Sequence, residues 1–151
     1  MIDRKWIGYT STPSKVTIDR WRVKLFCQAI GETDALYWDE AAARVAGHAA
    51  CPVPPTFLKA IEADHMPAAD LLGLLGVPLL SVLHAEQSFD YLAPVHVGDE
   101  IEITREVTDI YEKRGGALEF VVVEALFRRG AVTVCESRQT IVVRRDRAAA
   151  R

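Results

Sequence analysis

From Leu79 onward the chain changes period. Four long runs, 80–92, 100–112, 117–128 and 132–144, are rich in β-branched residues and alternate with a spacing near two, the period of a strand. Arg114-Gly115-Gly116 and Arg129-Gly130 separate the last three runs. Links that short between long strands force antiparallel neighbours. Val121, Val122 and Val123 with Phe120 and Phe127 make the third run apolar on both faces, which predicts a central place in the sheet.

The segment from Thr17 to about Gly76 obeys a different rule, with frequent alanine and helical spacing. Trp21, Leu25, Phe26, Ala29 and Ile30 fall on one stripe of a helix over 19–30, which Thr17 or Asp19 can cap and Gly31 can close. A shorter helix is predicted from Asp39 through Ala46, ended by Gly47. Tandem prolines in Pro52-Val53-Pro54-Pro55-Thr56-Phe57 impose an extended approach to a helix from Pro55 to about His65, stopped by Pro67. Helices first and long antiparallel strands after is the α+β pattern, with a helix on one face of a strongly bent sheet.

The 151 residues suit one domain, 1–151, with a core over about 8–144 and a mobile tail at 145–151. Eighteen basic against 21 acidic residues leave a net charge of −3, which argues against nucleic acid as a partner. Cys27, Cys51 and Cys135 lie far apart and show no metal-ligand spacing, as expected in a reducing compartment without a metal site. The N-terminus lacks the apolar core of a secretory signal. The longest apolar stretch, 71–83, is broken by Pro78 and two glycines and falls short of the ~20 residues that span a bilayer. A cytoplasmic chain without membrane contact is the expectation.

Period two sets His84, Glu86 and Asp90 on one face with Val82, either as part of a site or as a pair at a sheet edge or subunit interface. His48, His65, His84 and His96 form no zinc or triad motif, and Gly73 and Gly76 fit no dinucleotide fingerprint. Gly31-Glu32-Thr33-Asp34-Ala35-Leu36-Tyr37-Trp38-Asp39 places carboxylates and a phenol between two helices, a common position for functional groups. Turn chemistry accounts for the same residues, with Asp34 bonding its own backbone and Asp39 capping the next helix.

The run Leu83-His84-Ala85-Glu86-Gln87-Ser88-Phe89-Asp90-Tyr91, followed by Pro94 and Val97-Gly98-Asp99, resembles the N-terminal (FAS1-type) domain of MaoC-like dehydratases and R-specific enoyl-CoA hydratases. Pro52-Val53-Pro54-Pro55-Thr56-Phe57 resembles the segment that opens the central helix of that domain, and the likeness covers roughly 8–144. It implies a hot-dog fold, a curved antiparallel sheet wrapped around a long central helix. It also implies hydration or dehydration of acyl thioesters carried on coenzyme A or acyl carrier protein, with no other cofactor. Substrate contacts are implied at Pro55, Thr56 and Phe57, with His84 nearby.

Active members of the family resembled hold the reacting water with an aspartate and a histidine. At the matching positions this chain carries Glu32 and Tyr37. One added methylene displaces a carboxylate by about 1 Å, enough to cost about 100-fold where geometry is tight. A phenol of pKa about 10 seldom accepts a proton at neutral pH. The resemblance therefore implies a substrate-binding subunit that works, as a homodimer or heterodimer, with a catalytic hot-dog partner. The alternatives are an active hydratase or a thioesterase using Glu32 or His84, or a non-catalytic acyl-CoA binding module. A thioesterase would need a carboxylate on the central helix, where Glu62 and Asp64 stand. Leu71 to Leu80 is expected either to wall the acyl site or to pack in the core.

Overall fold

Residues 1–144 are described by a computed structural model, and the expected mobile tail at 145–151 lies outside the described residues. The β-branched runs form strands. The four, β2 (Val82–Tyr91), β3 (Glu100–Lys113), β4 (Leu118–Arg129) and β5 (Val132–Arg144), join a short fifth strand, β1 (Ser14–Thr17), in one antiparallel sheet in the order β1-β3-β4-β5-β2. The strand that is apolar on both faces, β4, takes the middle place. β1 escaped the sequence reading because its four residues bury only Val16, too little to display a period. The β3–β4 turn needs three residues at positive φ, Arg114 (55°), Gly115 (61°) and Gly116 (82°), and two of them are glycine, which bears that conformation without strain.

Among the described residues four α-helices accompany the sheet: α1 (Arg20–Ile30), α2 (Glu40–Val45), α3 (Phe57–His65) and α4 (Ala68–Leu75). Pro67 separates α3 from α4 and takes the N-cap of α4. Phe57, Leu58 and Ile61 of α3 pack in one core cluster with Ile101, Ile103, Phe127 and Cys135. Leu71, Leu72 and Leu75 of α4 pack in a second with Val107, Val121, Val123, Ile141 and Val143. Val121, Val123, Ala125 and Phe127 are alternate residues of β4, so both helices cover the same face of the sheet. Each fully buried side chain of this size contributes roughly 1.5–3 kcal/mol. The segment 71–77 is thus core packing, while Leu79 and Leu80 are exposed. No helix among the described residues is long and apolar enough to cross a membrane.

Two expectations are corrected. The apolar stripe of α1 is not its buried face: Val23 and Cys27 are buried, whereas Trp21 is 64% exposed, Leu25 57% and Ile30 53%. The core contacts α1 through a narrower line than the distribution of apolar residues suggests. His84, Glu86 and Asp90 do not share a face either. His84 pairs with Ile141 and Glu86 with Thr140, so Ala85 is an extra residue in a bulge. The bulge leaves His84 with Gln87 on the helix-bearing face and turns Glu86, Ser88 and Asp90 to the other.

Candidate functional site

The loop behind α1 is built by its own side chains. Gly31 adopts φ 73° and closes the helix, and the Glu32 N–H then donates to the Cys27 carbonyl at 2.8 Å. Glu32 Oε1 accepts from the N–H groups of Thr33 (2.8 Å) and Asp34 (2.9 Å). Asp34 Oδ1 accepts from the Leu36 N–H at 3.0 Å and opens a short 3₁₀ turn over Ala35–Tyr37. Asp39 Oδ1 accepts from Ala41 and Ala42 and caps α2. The two aspartates therefore do the turn and capping work read from the sequence, and Glu32 is committed to the same task.

Tyr37 packs against the first core cluster. Burial raises its pKa, and the negative charges of Glu32 and Asp34 add to the rise. Such a phenol stays protonated at neutral pH and donates hydrogen bonds. It lines a cleft of about 460 Å³ together with Leu36, His48, Pro55, Tyr91 and Leu92. The Tyr91 hydroxyl donates to the Pro55 carbonyl at 2.5 Å, tying the end of β2 to the start of α3. Burial, with a smaller contribution from Cys135, holds the Tyr91 phenol far above its ordinary value.

Behind His48 stands His96, edge-on with ring centroids 5.6 Å apart. The His96 backbone N–H donates to Asp99 Oδ2 at 2.9 Å, and the same oxygen receives Arg129 Nη1 at 2.7 Å. Burial lowers the His96 pKa against the opposing pull of Asp99, and its Nε2 is buried without a hydrogen-bond partner. Cys51 and Val95 also hold this floor, through Val97 N–H to Cys51 O at 2.8 Å and Val53 N–H to Val95 O at 3.0 Å.

The two flanks of α3 differ. Towards β5, Glu62, 2% exposed, receives Lys59 Nζ at 3.0 Å on both carboxylate oxygens, with Arg105 Nη1 at 3.8 Å. Lys59 Nζ also donates to Gln139 Oε1 at 3.3 Å, and Gln139 Nε2 lies 2.8 Å from His84 Nδ1 on β2. Towards α1 lies an apolar groove of about 560 Å³, lined by Trp21, Leu25, Phe26, Ala29, Phe57 and Ala60. Phe26 and Phe57 meet edge-to-face at 5.4 Å, and an Arg22–Asp64 ion pair joins the two helices further along.

Of the residues selected from sequence, Tyr37 and Pro55 share the cleft. Glu32 neighbours Tyr37 but faces its own loop. Thr56 is exposed at the N-cap of α3, Phe57 is buried beside the α1 groove, and His84 belongs to the polar flank. His84 and Glu32 line no common wall of the cleft. His48 and Glu62 were named in the sequence, the first among the histidines and the second as a carboxylate of the central helix, whereas a cleft role for Tyr91 and the pairing of Lys59 with Glu62 were not read there. Tyr91 closes the run that carried the resemblance, whereas the meeting of His48 with His96 rests on a bridge between Pro52 and His96, which no local pattern announces. Among the described residues no three His, Cys, Asp or Glu side chains converge to hold a metal ion.

Comparison with known proteins matches residues 5–137 to the family described as FAS1-like, dehydratase domain region. A UPF0336 protein of Clavibacter michiganensis is 36% identical over 132 residues, covering 85% of this chain and 86% of that one. A UPF0336 protein of Saccharopolyspora erythraea is 29% identical over 145 residues, 95% and 92% of the two chains. Among solved structures, the fold is similar to that of the (3R)-hydroxyacyl-ACP dehydratase complex HadBC of Mycobacterium tuberculosis. The TM-score is 0.78 at 21% identity, with 91% of this chain and 96% of that one covered. The ChsH1–ChsH2 complex of the same organism aligns with a TM-score of 0.77 at 21% identity over 92% and 90%. These likenesses establish the hot-dog fold.

Proposed function

The chain belongs to the FAS1-like dehydratase-domain family, a MaoC-like hot-dog, and from that premise we propose that it is an acyl-thioester binding subunit whose own water-activating pair is replaced. The observation that carries the reading is Tyr37, a phenol held protonated on the wall of the cleft beside the start of α3. Hydration of an enoyl thioester needs a base for the attacking water and a donor for the carbonyl oxygen on which charge develops. A protonated phenol serves the second task and not the first. Glu32 spends one carboxylate oxygen on two backbone N–H groups and acts as a turn brace.

In this reading the thioester carbonyl approaches the start of α3, where the aligned peptide dipoles favour developing negative charge. No cofactor besides the coenzyme A or acyl-carrier thioester is required. The missing base comes from a second hot-dog added along β2, which among the described residues is an edge strand paired only with β5. The heteromeric HadBC and ChsH1–ChsH2 neighbours support such a pairing. A hydrolytic reading is weaker because the α3 carboxylates are engaged, Glu62 by Lys59 and Asp64 by Arg22.

Calorimetric titration of the purified chain with butyryl-CoA, alongside its native mass, tests the proposal. Saturable acyl-CoA binding that free coenzyme A does not match is expected. Failure of the folded chain to distinguish the two would overturn it.

A further inference from the structure

The face of the sheet that carries no helix is sorted by row. The pairings Tyr111–Phe120, Phe120–Val142 and Val142–Leu83 run straight across β3, β4, β5 and β2, so apolar side chains form one band on that face. Tyr111 and Phe120 stack at 4.8 Å with their planes 3° apart, and Leu83 at the edge is 51% exposed. The row on one side of the band holds Lys113, Leu118 and Arg144. The row on the other side holds Asp109, Val122, Thr140 and Glu86. A cationic row and an acidic row thus flank an apolar one.

The acids reach this face through two irregularities. Ala85 is the extra residue of the bulge in β2, and Thr108, between Val107 and Asp109, is the extra residue of another in β3. Val107 and His84 lie on the helix-bearing face, and strict alternation from them would turn Asp109 and Glu86 to that face as well. Each bulge reverses one acid, on the strands at the two ends of the same row. No ion pair joins Asp109, Glu86, Lys113 or Arg144 to another described residue. Lys113 Nζ instead lies over the Tyr111 and Phe120 rings, 5.5 and 5.0 Å from their centroids.

A two-fold rotation about an axis in the plane of this face, along the apolar band, carries the cationic row onto the acidic one. We propose that the face binds a second copy of the chain, sheet against sheet, with the band set on its own counterpart. Lys113 of each copy then meets Asp109 of the other, and Arg144 approaches Glu86, so every attraction occurs twice. Sheets stack about 10 Å apart with strands within about 30° of each other, a gap that a lysine and an aspartate projecting from facing sheets can span. A nucleic-acid or anionic lipid surface is negative throughout and is repelled by the acidic row, whereas the chain's own face presents both signs in the required order. The patch is small, which suits a concentration-dependent association rather than an obligate one. It uses a face where the catalytic partner uses an edge, so the inference does not depend on the acyl-thioester reading.

Sedimentation velocity of the full chain over a range of concentrations tests the contact on the wild type, on Lys113→Asp and on Asp109→Lys. The wild type should self-associate. Either variant alone sets like charges against each other at both symmetric contacts and should weaken the association about ten-fold or more. An equal mixture of the two variants brings opposite charges together again and should recover most of the wild-type association, a result that neither a folding defect nor a contact elsewhere would produce. A wild type that stays monomeric would overturn the proposal. So would single variants that associate like the wild type, or a mixture that associates no better than its components.

Discussion

The two sides of α3 are built on opposite principles. On the β5 side the helix presents Lys59 and Glu62, and every charge meets a partner, Arg105 included. On the α1 side it presents Phe57 and Ala60 to an apolar groove that stays open. A closed polar network of this kind resists rearrangement because breaking any link leaves a buried charge unpaired. An open apolar groove has no such penalty and gains when a suitable ligand fills it. One nine-residue helix thus joins a rigid anchor to an adaptable surface.

The largest effect that would break the contrast comes from Glu62→Ala. It removes the carboxylate from between two cations and should destabilise the fold by about 3–5 kcal/mol in urea unfolding. A loss below about 1 kcal/mol would mean that the flank is not a buried anchor. Leu58→Ala, on the sheet-facing side of the same helix, should cost about 2–5 kcal/mol. Its counterpart Leu25→Ala, across the groove, should stay within about 0.5 kcal/mol of wild type. Equal losses at the two leucines would erase the difference between core and groove.

Tyr91→Phe deletes the hydrogen bond to the Pro55 carbonyl and should lower stability by about 1 kcal/mol. The smallest effect belongs to His96, whose folded pKa lies below its unfolded value near 6.5. A base depressed in this way contributes stability above the unfolded value, and the contribution is lost as pH falls through 6.5 towards the folded value. Melting temperature should therefore drop over that window, and the drop should be shallower in His96→Gln. An unchanged slope in the variant would assign the acid sensitivity to other groups.

Much of the sheet was legible in the sequence because β-branched alternation and glycine turns are local signals. β4 is central for the reason its triple valine suggested, and the Asp34 and Asp39 turns follow from short-range side-chain chemistry. The α1 stripe misled because helical amphipathicity marks an apolar face and does not say whether protein or ligand covers it. The bulge at Ala85 was invisible because one inserted residue shifts the face of everything beyond it while leaving the composition unchanged. The loop that holds Glu32 and Tyr37 stood out by its position between two helices and the resemblance selected the pair within it, whereas the His48–His96 contact and the Lys59–Gln139–His84 chain arise from tertiary packing between distant segments.

The most direct measurement is hydration of a short trans-2-enoyl-CoA by the purified chain, followed as loss of enoyl absorbance in parallel with acyl-CoA binding. A folded chain that binds the acyl thioester and leaves the double bond intact is the predicted result. Rapid hydration by the chain alone would contradict the assignment of Glu32 as a brace and Tyr37 as a donor, and with it the need for a catalytic partner.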